Sequence, residues 1–443
     1  MGEKITILGA GLVGSLLSIF LAKRGYQVTI FEGRPDMRKN SLAGGRSINL
    51  ALSHRGLKAL AAVGIAEKVK EECIPMHGRM IHDLTGNQEL QPYGKKGEYI
   101  NSVSRSGLNI TLMNAAEEAG VRIVFEKRCH KVDVQAAVAY FENETVEADW
   151  LFGADGAFSA LRNSLMKTPM FNYSQNYISA GYKELCIPAK KDDFAIAPHA
   201  LHIWPRGDYM LIALPNMDKS FTCTLFYPME GERSFEQLKD QKSINDLFVN
   251  SFPDAKELMP TLFDDFQQNP TAGLVTVRCS PWVKGKSALI GDAAHAIVPF
   301  YGQGMNAGFE DCHVFDQLLN EVGTISNKML KQYEQLRKPD ADAIADLALY
   351  NFIEMRDKVA DPKFITQKKI EKRLHEKYPD QWMPLYSMVT FSDLRYSEAL
   401  AQGLKQQKIM DELLTQTGIE ESWENLDLDQ IIARLNEAAS DSH

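Results

Sequence analysis

The chain has 443 residues, of which 44% are hydrophobic and 24% charged, with a formal net charge of −9 at pH 7. This length suggests two or three domains, and the composition is that of an ordinary globular protein. The acidic balance, with no basic stripe interleaved with aromatics, argues against a nucleic-acid partner, because phosphate binding needs clustered positive charge.

Ile5 to Leu8 reads as a short buried strand, Gly9-Ala10-Gly11-Leu12-Val13-Gly14 as a glycine turn opening a helix, and Gln27 to Glu32 as a second strand. This is a βαβ dinucleotide fingerprint. Gly9 permits the turn, Gly11 lets the backbone approach a pyrophosphate at the helix N-terminus, and Gly14 lets the helix lie close on the sheet. Glu32 follows roughly 20 residues on, where a carboxylate can accept from ribose hydroxyls. The pattern does not choose between NAD(P) and FAD. The most apolar window, Leu12 to Ala22, is shorter than the roughly 20 residues that span a bilayer, so no membrane segment is expected. The first strand begins too early to leave room for a signal peptide, which points to the cytoplasm.

Gly33 to Asn40 reads as a loop, and Gly44-Gly45-Arg46 as either a contact for a cofactor phosphate or a solvated surface loop. Ser53 can cap a helix running to about Val63. Met80-Ile81-His82 and Glu89-Leu90-Gln91 flank a turn at Thr85-Gly86-Asn87 and form a hairpin that carries Arg79 and Tyr93. Tyr99 to Val103 is a strand, and Arg105-Ser106 precedes a helix from Leu108 to Ala119 closed by Gly120. Val121 to Phe141 suggests a β-meander, followed by a buried strand that ends in Gly153-Ala154-Asp155-Gly156. From Phe171 the chain changes character. Leu201 to Trp204, Asp208 to Leu214 and Phe221 to Tyr227 form a separate antiparallel sheet, with Met210, Ile212 and Leu214 sharing one face and Thr222, Thr224 and Phe226 another. Such a face either packs on helices or roofs a cavity. Leu274 to Cys279 is a strand. Lys286 to Ile290 is another, ending in Gly291-Asp292, and Pro299-Phe300-Tyr301-Gly302-Gln303-Gly304-Met305-Asn306 leads into a helix to about Leu319. The remainder is helical by period, with breaks at Pro339, Pro362, Pro379 and Pro384. Six cysteines without CxxC spacing and ten histidines without HxH or HExxH patterns point to reduced thiols and no metal.

An early βαβ fingerprint, a mid-chain Gly-x-Asp-Gly and a late Gly-Asp before Pro-x-x-Gly-Gln-Gly-x-Asn together resemble the class A flavoprotein monooxygenases, whose single FAD is threaded by widely separated segments. The resemblance implies an α/β fold with a discontinuous Rossmann-like FAD-binding domain (1–75, 99–170 and 271–325). An interleaved antiparallel-sheet substrate domain (76–98 and 171–270) and a helical C-terminal region (326–443) complete it. It implies that Gly9, Gly11, Gly14 and Glu32 hold the AMP half of FAD, that Arg105 reaches the pyrophosphate, and that Asp292 accepts from the ribityl or pyrophosphate region. The backbone of Gly304, Met305 and Asn306 would face the flavin, and Asp155 would serve both FAD and the reducing nicotinamide. Val13, Arg34, Arg46 and Ala51 complete the expected cofactor set.

Finer details resemble the branch of this family that hydroxylates L-kynurenine: the run Gly45 to Ser53, the hairpin from Gly78 to Asp83, and Pro299 to Asn306. By position, Arg79 and Tyr93 match its carboxylate-binding pair, Asn351 and Tyr386 its polar partners, and Leu201, Met210, Ile212, Leu214, Thr224 and Phe226 its apolar pocket. Pro299, Phe300 and Tyr301 join that substrate set. The resemblance implies NADPH and O2 as co-substrates and hydroxylation at ring position 3 through a flavin C4a-hydroperoxide. Mitochondrial members of the branch carry a hydrophobic C-terminal anchor, whereas this chain ends in a polar tail. The alternatives are a class A hydroxylase for another aromatic, an NAD-dependent dehydrogenase, which would purify colourless, and a flavin-binding protein without turnover. No Trp-x-Trp motif supports a halogenase.

Overall fold

The computed structural model describes residues 2–39, 49–95, 97–355 and 361–440, so the Gly44-Gly45-Arg46 loop lies outside the described residues. A six-stranded sheet runs in the order Val283–Lys284, Ser287–Leu289, Trp150–Gly153, Lys4–Leu8, Gln27–Phe31, Arg122–Val124. Its strands are parallel apart from the short Val283–Lys284 edge. Strands covered on both faces must be apolar almost throughout, and Ile5, Ile7, Leu8, Ile30, Leu151 and Phe152 are all buried. The helix Leu12–Lys23 packs between the helices Arg105–Glu118 and Gly304–Val322 on one face. The meander expected over Val121 to Phe141 is corrected: Arg122–Val124 joins the parallel sheet beside Gln27–Phe31, and the meander consists of Lys131–Asp133, Val138–Tyr140 and Thr145–Glu147.

A second sheet has seven strands in the order Ala272–Ser280, Asn172–Ile187, Phe221–Pro228, Met210–Pro215, Leu201–Pro205, Gly78–His82, Gln88–Pro92. All neighbours are antiparallel except Leu201–Pro205 with Gly78–His82, so the Arg79 hairpin joins the sheet by a parallel pairing. Alternation divides its residues. Leu185, Trp204, Leu211, Ala213, Phe221 and Leu225 pack on the helices Gln241–Ser251, Pro253–Glu257 and Leu262–Gln268, leaving the opposite face for the first domain-sized layer. A three-stranded sheet, Asn49–Leu52, Ile100–Ser104 and Cys73–Met76, bridges the two large ones.

Several local expectations are corrected. Asn172–Ile187 is the longest strand, and its polar start conceals it in the sequence because that part pairs at a half-exposed edge with Ala272–Ser280. Asn49–Leu52 is a strand. Arg105 is the first residue of its helix, which is capped by the Ser104 hydroxyl accepting from the Gly107 N–H at 3.2 Å. Ser53 occupies an N-cap position without a side-chain cap bond. Pro339 breaks nothing and lies inside the helix Asn327–Ile353. A proline there costs about 3 kcal/mol, against which stands the burial of Tyr333, Ala341 and Ile344 around it. Pro362 does open a helix, Pro362–Lys377. The C-terminal helices have a core of their own around Ile370, Leu374, Trp382, Met410 and Ile432. Among the described residues no helix is long and apolar enough to cross a membrane.

Two consequences are measurable. A Cβ built on Gly14 would meet the Gly9 carbonyl oxygen at 2.1 Å. A helical Gly→Ala change ordinarily stabilises by roughly 0.5–1 kcal/mol, but Gly14→Ala is expected to destabilise by about 1–3 kcal/mol because the helix must move off its own turn. Urea unfolding reads the sign. Glu184 pairs opposite Thr224, and burial lifts its carboxyl from the ordinary 4.5 to about 7, against the pull of Arg105. The folded state therefore holds an extra proton between those values, and its stability is fullest below the lower one and falls as pH rises through the upper. Glu184→Gln is expected to flatten that fall and to exceed the parent in stability at about pH 8; an unchanged pH profile would show the carboxyl to be uncoupled from folding.

Candidate active site

The two large sheets enclose a cleft of about 680 Å³, within the range of roughly 300–1,000 Å³ usual for small-molecule sites. One end is built by the glycine turn. Gly9 has φ +100°, and a Cβ there would lie 2.6 Å from the Ala154 carbonyl oxygen, so the turn and the Asp155 segment touch backbone to backbone. Gly11 is the helix N-cap, and a Cβ on it would meet nothing within 4 Å. The first helical turn thus opens onto free space in the cleft. Gly14 lies behind, against Gly9, and does not line it.

Glu32 sits at the end of the second strand on the cleft wall. Its carboxylate accepts from the Ala10 N–H at 2.9 Å and from the Arg34 backbone N–H at 2.9 Å, and pairs with the Arg34 guanidinium at 2.9 and 3.2 Å. Burial works to raise its pKa, but the bonds and charge of Arg34 and the Ala10 N–H outweigh that and hold it below the usual range. It remains an anion. Lys127 and Arg128, in the turn after Arg122–Val124, line the same end.

Midway, Asp155 accepts from the Ala160 N–H at 2.7 Å with one oxygen, while the other is buried with no partner among the described residues. Burial raises its pKa. Asp292 begins a short helix after Gly291, and Val13, Ala51, Arg105, Asp292, Gly304 and Met305 all reach the cleft. Asn306 does not. Its side chain is used on backbone, accepting from Ser53 N–H at 2.9 Å and donating to the carbonyls of Ala51 at 2.8 Å and Gly302 at 2.9 Å. It ties the strand Asn49–Leu52 to the start of the helix Gly304–Val322.

The far end is apolar and aromatic. Leu201, Met210, Ile212, Leu214, Thr224 and Phe226 line it from the seven-stranded sheet, and Pro299, Phe300 and Tyr301 face them. Phe300 stacks on Phe352 at 4.2 Å and meets Phe226 at a tilt, with ring centres 4.8 Å apart. Three tyrosines form a ladder, with Tyr93 to Tyr386 at 5.3 Å and Tyr386 to Tyr301 at 5.5 Å. The Arg79 guanidinium lies 4.7 Å from the Tyr386 ring centre and 5.8 Å from that of Tyr93, and it borders the cleft. Arg79 Nε and the Tyr93 hydroxyl are buried without partners among the described residues. Tyr93 stands behind Tyr386 rather than on the cleft wall. Asn351 is also in the second layer, giving its amide hydrogen to the Phe300 carbonyl at 2.6 Å.

Tyr182, Leu274 and Met355 line the cleft but escape a reading of the sequence. Tyr182 pairs opposite Phe226 and becomes visible only once the strand Asn172–Ile187 is recognised. Lys127 and Arg128 follow a strand of the parallel sheet, and the tendency of ligands to bind at the carboxyl ends of such strands is a signal that could have found them. Among the described residues no group of three or more His, Cys, Asp or Glu could hold a metal ion.

The cleft fits a dinucleotide flavin on three observations: open space before the helix N-terminus at Gly11, crowding at Gly9 and Gly14 that excludes side chains, and the unpartnered Asp155 oxygen beside the same cleft. Residues 3–348 match the FAD binding domain family. The chain is 50% identical over 440 residues to kynurenine 3-monooxygenase of Flavobacterium johnsoniae, covering 98% of each chain. It is 45% identical to that of Sus scrofa over 93% of this chain and 88% of the other. The fold is shared with 2-methyl-3-hydroxypyridine-5-carboxylic acid oxygenase in its tetrameric form, at TM-score 0.68 and 22% identity over 82% of this chain and 94% of that one. The chain belongs to the kynurenine 3-monooxygenase family of FAD-dependent monooxygenases.

Proposed function

We propose that this enzyme hydroxylates L-kynurenine at ring position 3 with NADPH and O2 as co-substrates. The observation that carries the choice of substrate is Arg79, the cation bordering an otherwise apolar, aromatic end of the cleft, with the phenol of Tyr93 beside it. A guanidinium there offers a bidentate seat for an amino-acid carboxylate and sets register along the substrate. The Tyr93 hydroxyl and Asn351 side chain support that end from behind, and Tyr386 covers it. Met210, Ile212, Leu214 and Phe226 pack one face of the aromatic ring, and Pro299 and Phe300 the other, which aligns it and keeps water out.

FAD, when bound, takes reducing equivalents from NADPH and activates O2 for transfer of one oxygen atom to the ring. Gly11 and the helix start would hold its pyrophosphate, with Arg105 adding positive charge and Glu32 accepting from the ribose. The N-terminus of the helix Gly304–Val322 would place its N–H groups and dipole where the reduced ring carries negative charge. The acids that line the cleft wall, Glu32, Asp155 and Asp292, belong to the cofactor side among the described residues, while at the far end the Glu354 carboxylate acts on Arg79 and Tyr301 without lining the cleft. That distribution suits an aniline substrate, whose ring amine supplies its own electron pair and needs no strong protein base at the far end.

The test is NADPH consumption by the purified yellow protein with and without kynurenine, followed by identification of the product. Substrate-stimulated consumption yielding 3-hydroxykynurenine is expected; bound flavin with no response to kynurenine would require another aromatic. Arg79→Ala is expected to raise the KM for kynurenine by about 10- to 100-fold, the worth of a charge-assisted bond pair. It should change turnover of a carboxylate-free aromatic little. Equal losses on both compounds would remove the carboxylate assignment.

A further inference from the structure

Behind the cofactor side of the cleft lies a set of buried charges that touches neither substrate nor cofactor in the reading above. Asp311, on the helix Gly304–Val322, is fully buried. Its Oδ2 accepts from the Gly291 N–H at 3.1 Å and from His295 Nε2 at 2.5 Å, and its Oδ1 accepts from Arg337 Nε at 2.7 Å. Arg337 Nη1 is in ionic contact with Glu310 at 2.7 Å and Asp340 at 3.2 Å. Glu310 in turn pairs with Arg55 at 2.5 Å, and Asp340 with Arg395 at 3.1 Å. Three carboxylates meet three guanidiniums, so the set is close to neutral without His295.

Gly291 has φ +61° and ψ −144°, and a Cβ there would lie 2.9 Å from the Val13 side chain. It is the turn that aims Asp292 into the cleft. An exposed turn of this conformation, reachable only by glycine, has many alternatives. Here its N–H is anchored to a carboxylate that cannot move, because Arg337 and His295 hold the other positions around it. We propose that Asp311 is a positioning residue for the cofactor: it fixes the Gly291–Asp292 turn and so places the Asp292 carboxylate against the polar chain of FAD. This rests on the reading of Asp292 as a cofactor residue.

If Asp311 acts through Asp292, the two substitutions are not additive. The dissociation constant for FAD, read from flavin fluorescence on dilution of the full-length holoprotein, is expected to rise about tenfold in Asp292→Ala and by a similar factor in Asp311→Asn. The double variant should be no worse than the weaker single one, within about twofold. Asp340→Asn, at the far end of the same set of charges, should leave the constant within about twofold of the parent even if it lowers the unfolding temperature. An unchanged constant in Asp311→Asn, losses that multiply in the double variant, or an equal loss in Asp340→Asn would overturn the inference. Should Asp311→Asn not fold, His295→Leu, which removes one restraint on the same carboxylate, decides by the same cycle. An unchanged constant in Asp292→Ala alone would instead remove the reading of Asp292, and this inference with it.

Discussion

The close approach of three backbone segments at Gly9 is the constraint on which the rest of the structure depends. The Gly9 N–H donates to the Phe31 carbonyl at 2.8 Å, while the preceding carbonyl, of Leu8, accepts from Ala154 at 2.9 Å. The turn is thus stitched to both neighbouring strands of the parallel sheet at their carboxyl ends. Asn109 adds a bond from the next helix to the Ala10 carbonyl at 3.1 Å. Three groups that line the cofactor side of the cleft are positioned from this point: Gly11 by the turn, Glu32 by the strand Gln27–Phe31, and Asp155 by the strand Trp150–Gly153. A side chain at Gly9 would separate them all, since it would collide with Ala154 and Asp155.

The C-terminal helices are fastened to this frame by charge as much as by apolar packing. Arg55 lies 4.1 Å from the Tyr396 ring centre and donates to the Val389 carbonyl at 3.0 Å, while Tyr396 donates to Gln303, just before the helix that faces the cleft. Buried ion pairs contribute little net stability, because desolvation offsets attraction, yet leaving one member unpaired costs several kcal/mol. Their consequence is specificity of placement. A helix that slipped by one turn would strand Asp340 or Arg337 without its partner, so the elements carrying Asn351 and Tyr386 have one seat.

What the sequence reveals follows from how each feature encodes itself. The glycine turn and its flanking strands are local, with steric demands met by residues a few positions apart, and the face Met210, Ile212 and Leu214 declares itself by a period of two. The strand Asn172–Ile187 does not, since its first half is polar and pairs with Val275 to Ser280, about a hundred residues on. Pro339 misleads because its local cost is offset by contacts no window of sequence contains. Asn306 and Tyr93 sit in recognisable motifs, but only the three-dimensional arrangement shows that one spends its amide on backbone and the other stands behind Tyr386.

The separation of charge along the cleft links these points. Anionic groups gather where a helix N-terminus and Arg34, Arg105, Lys127 and Arg128 can balance them, and the end lined by the seven-stranded sheet holds Arg79 among apolar and aromatic side chains. An oxygen-transferring flavin enzyme needs both environments within one cavity: a polar channel for a polyanionic cofactor and a dry pocket where a reactive oxygen species meets only the ring it is meant to attack. A single-sheet dinucleotide fold supplies the first. The second requires another sheet laid across it with its apolar face inward, and the hairpin carrying Arg79 reaches that face through its one parallel pairing, with Leu201–Pro205. The cation is therefore placed by the sheet that carries the apolar face, at the other end of the cleft from the glycine turn, with the Tyr386 and Tyr93 rings and the Glu354 carboxylate as its neighbours.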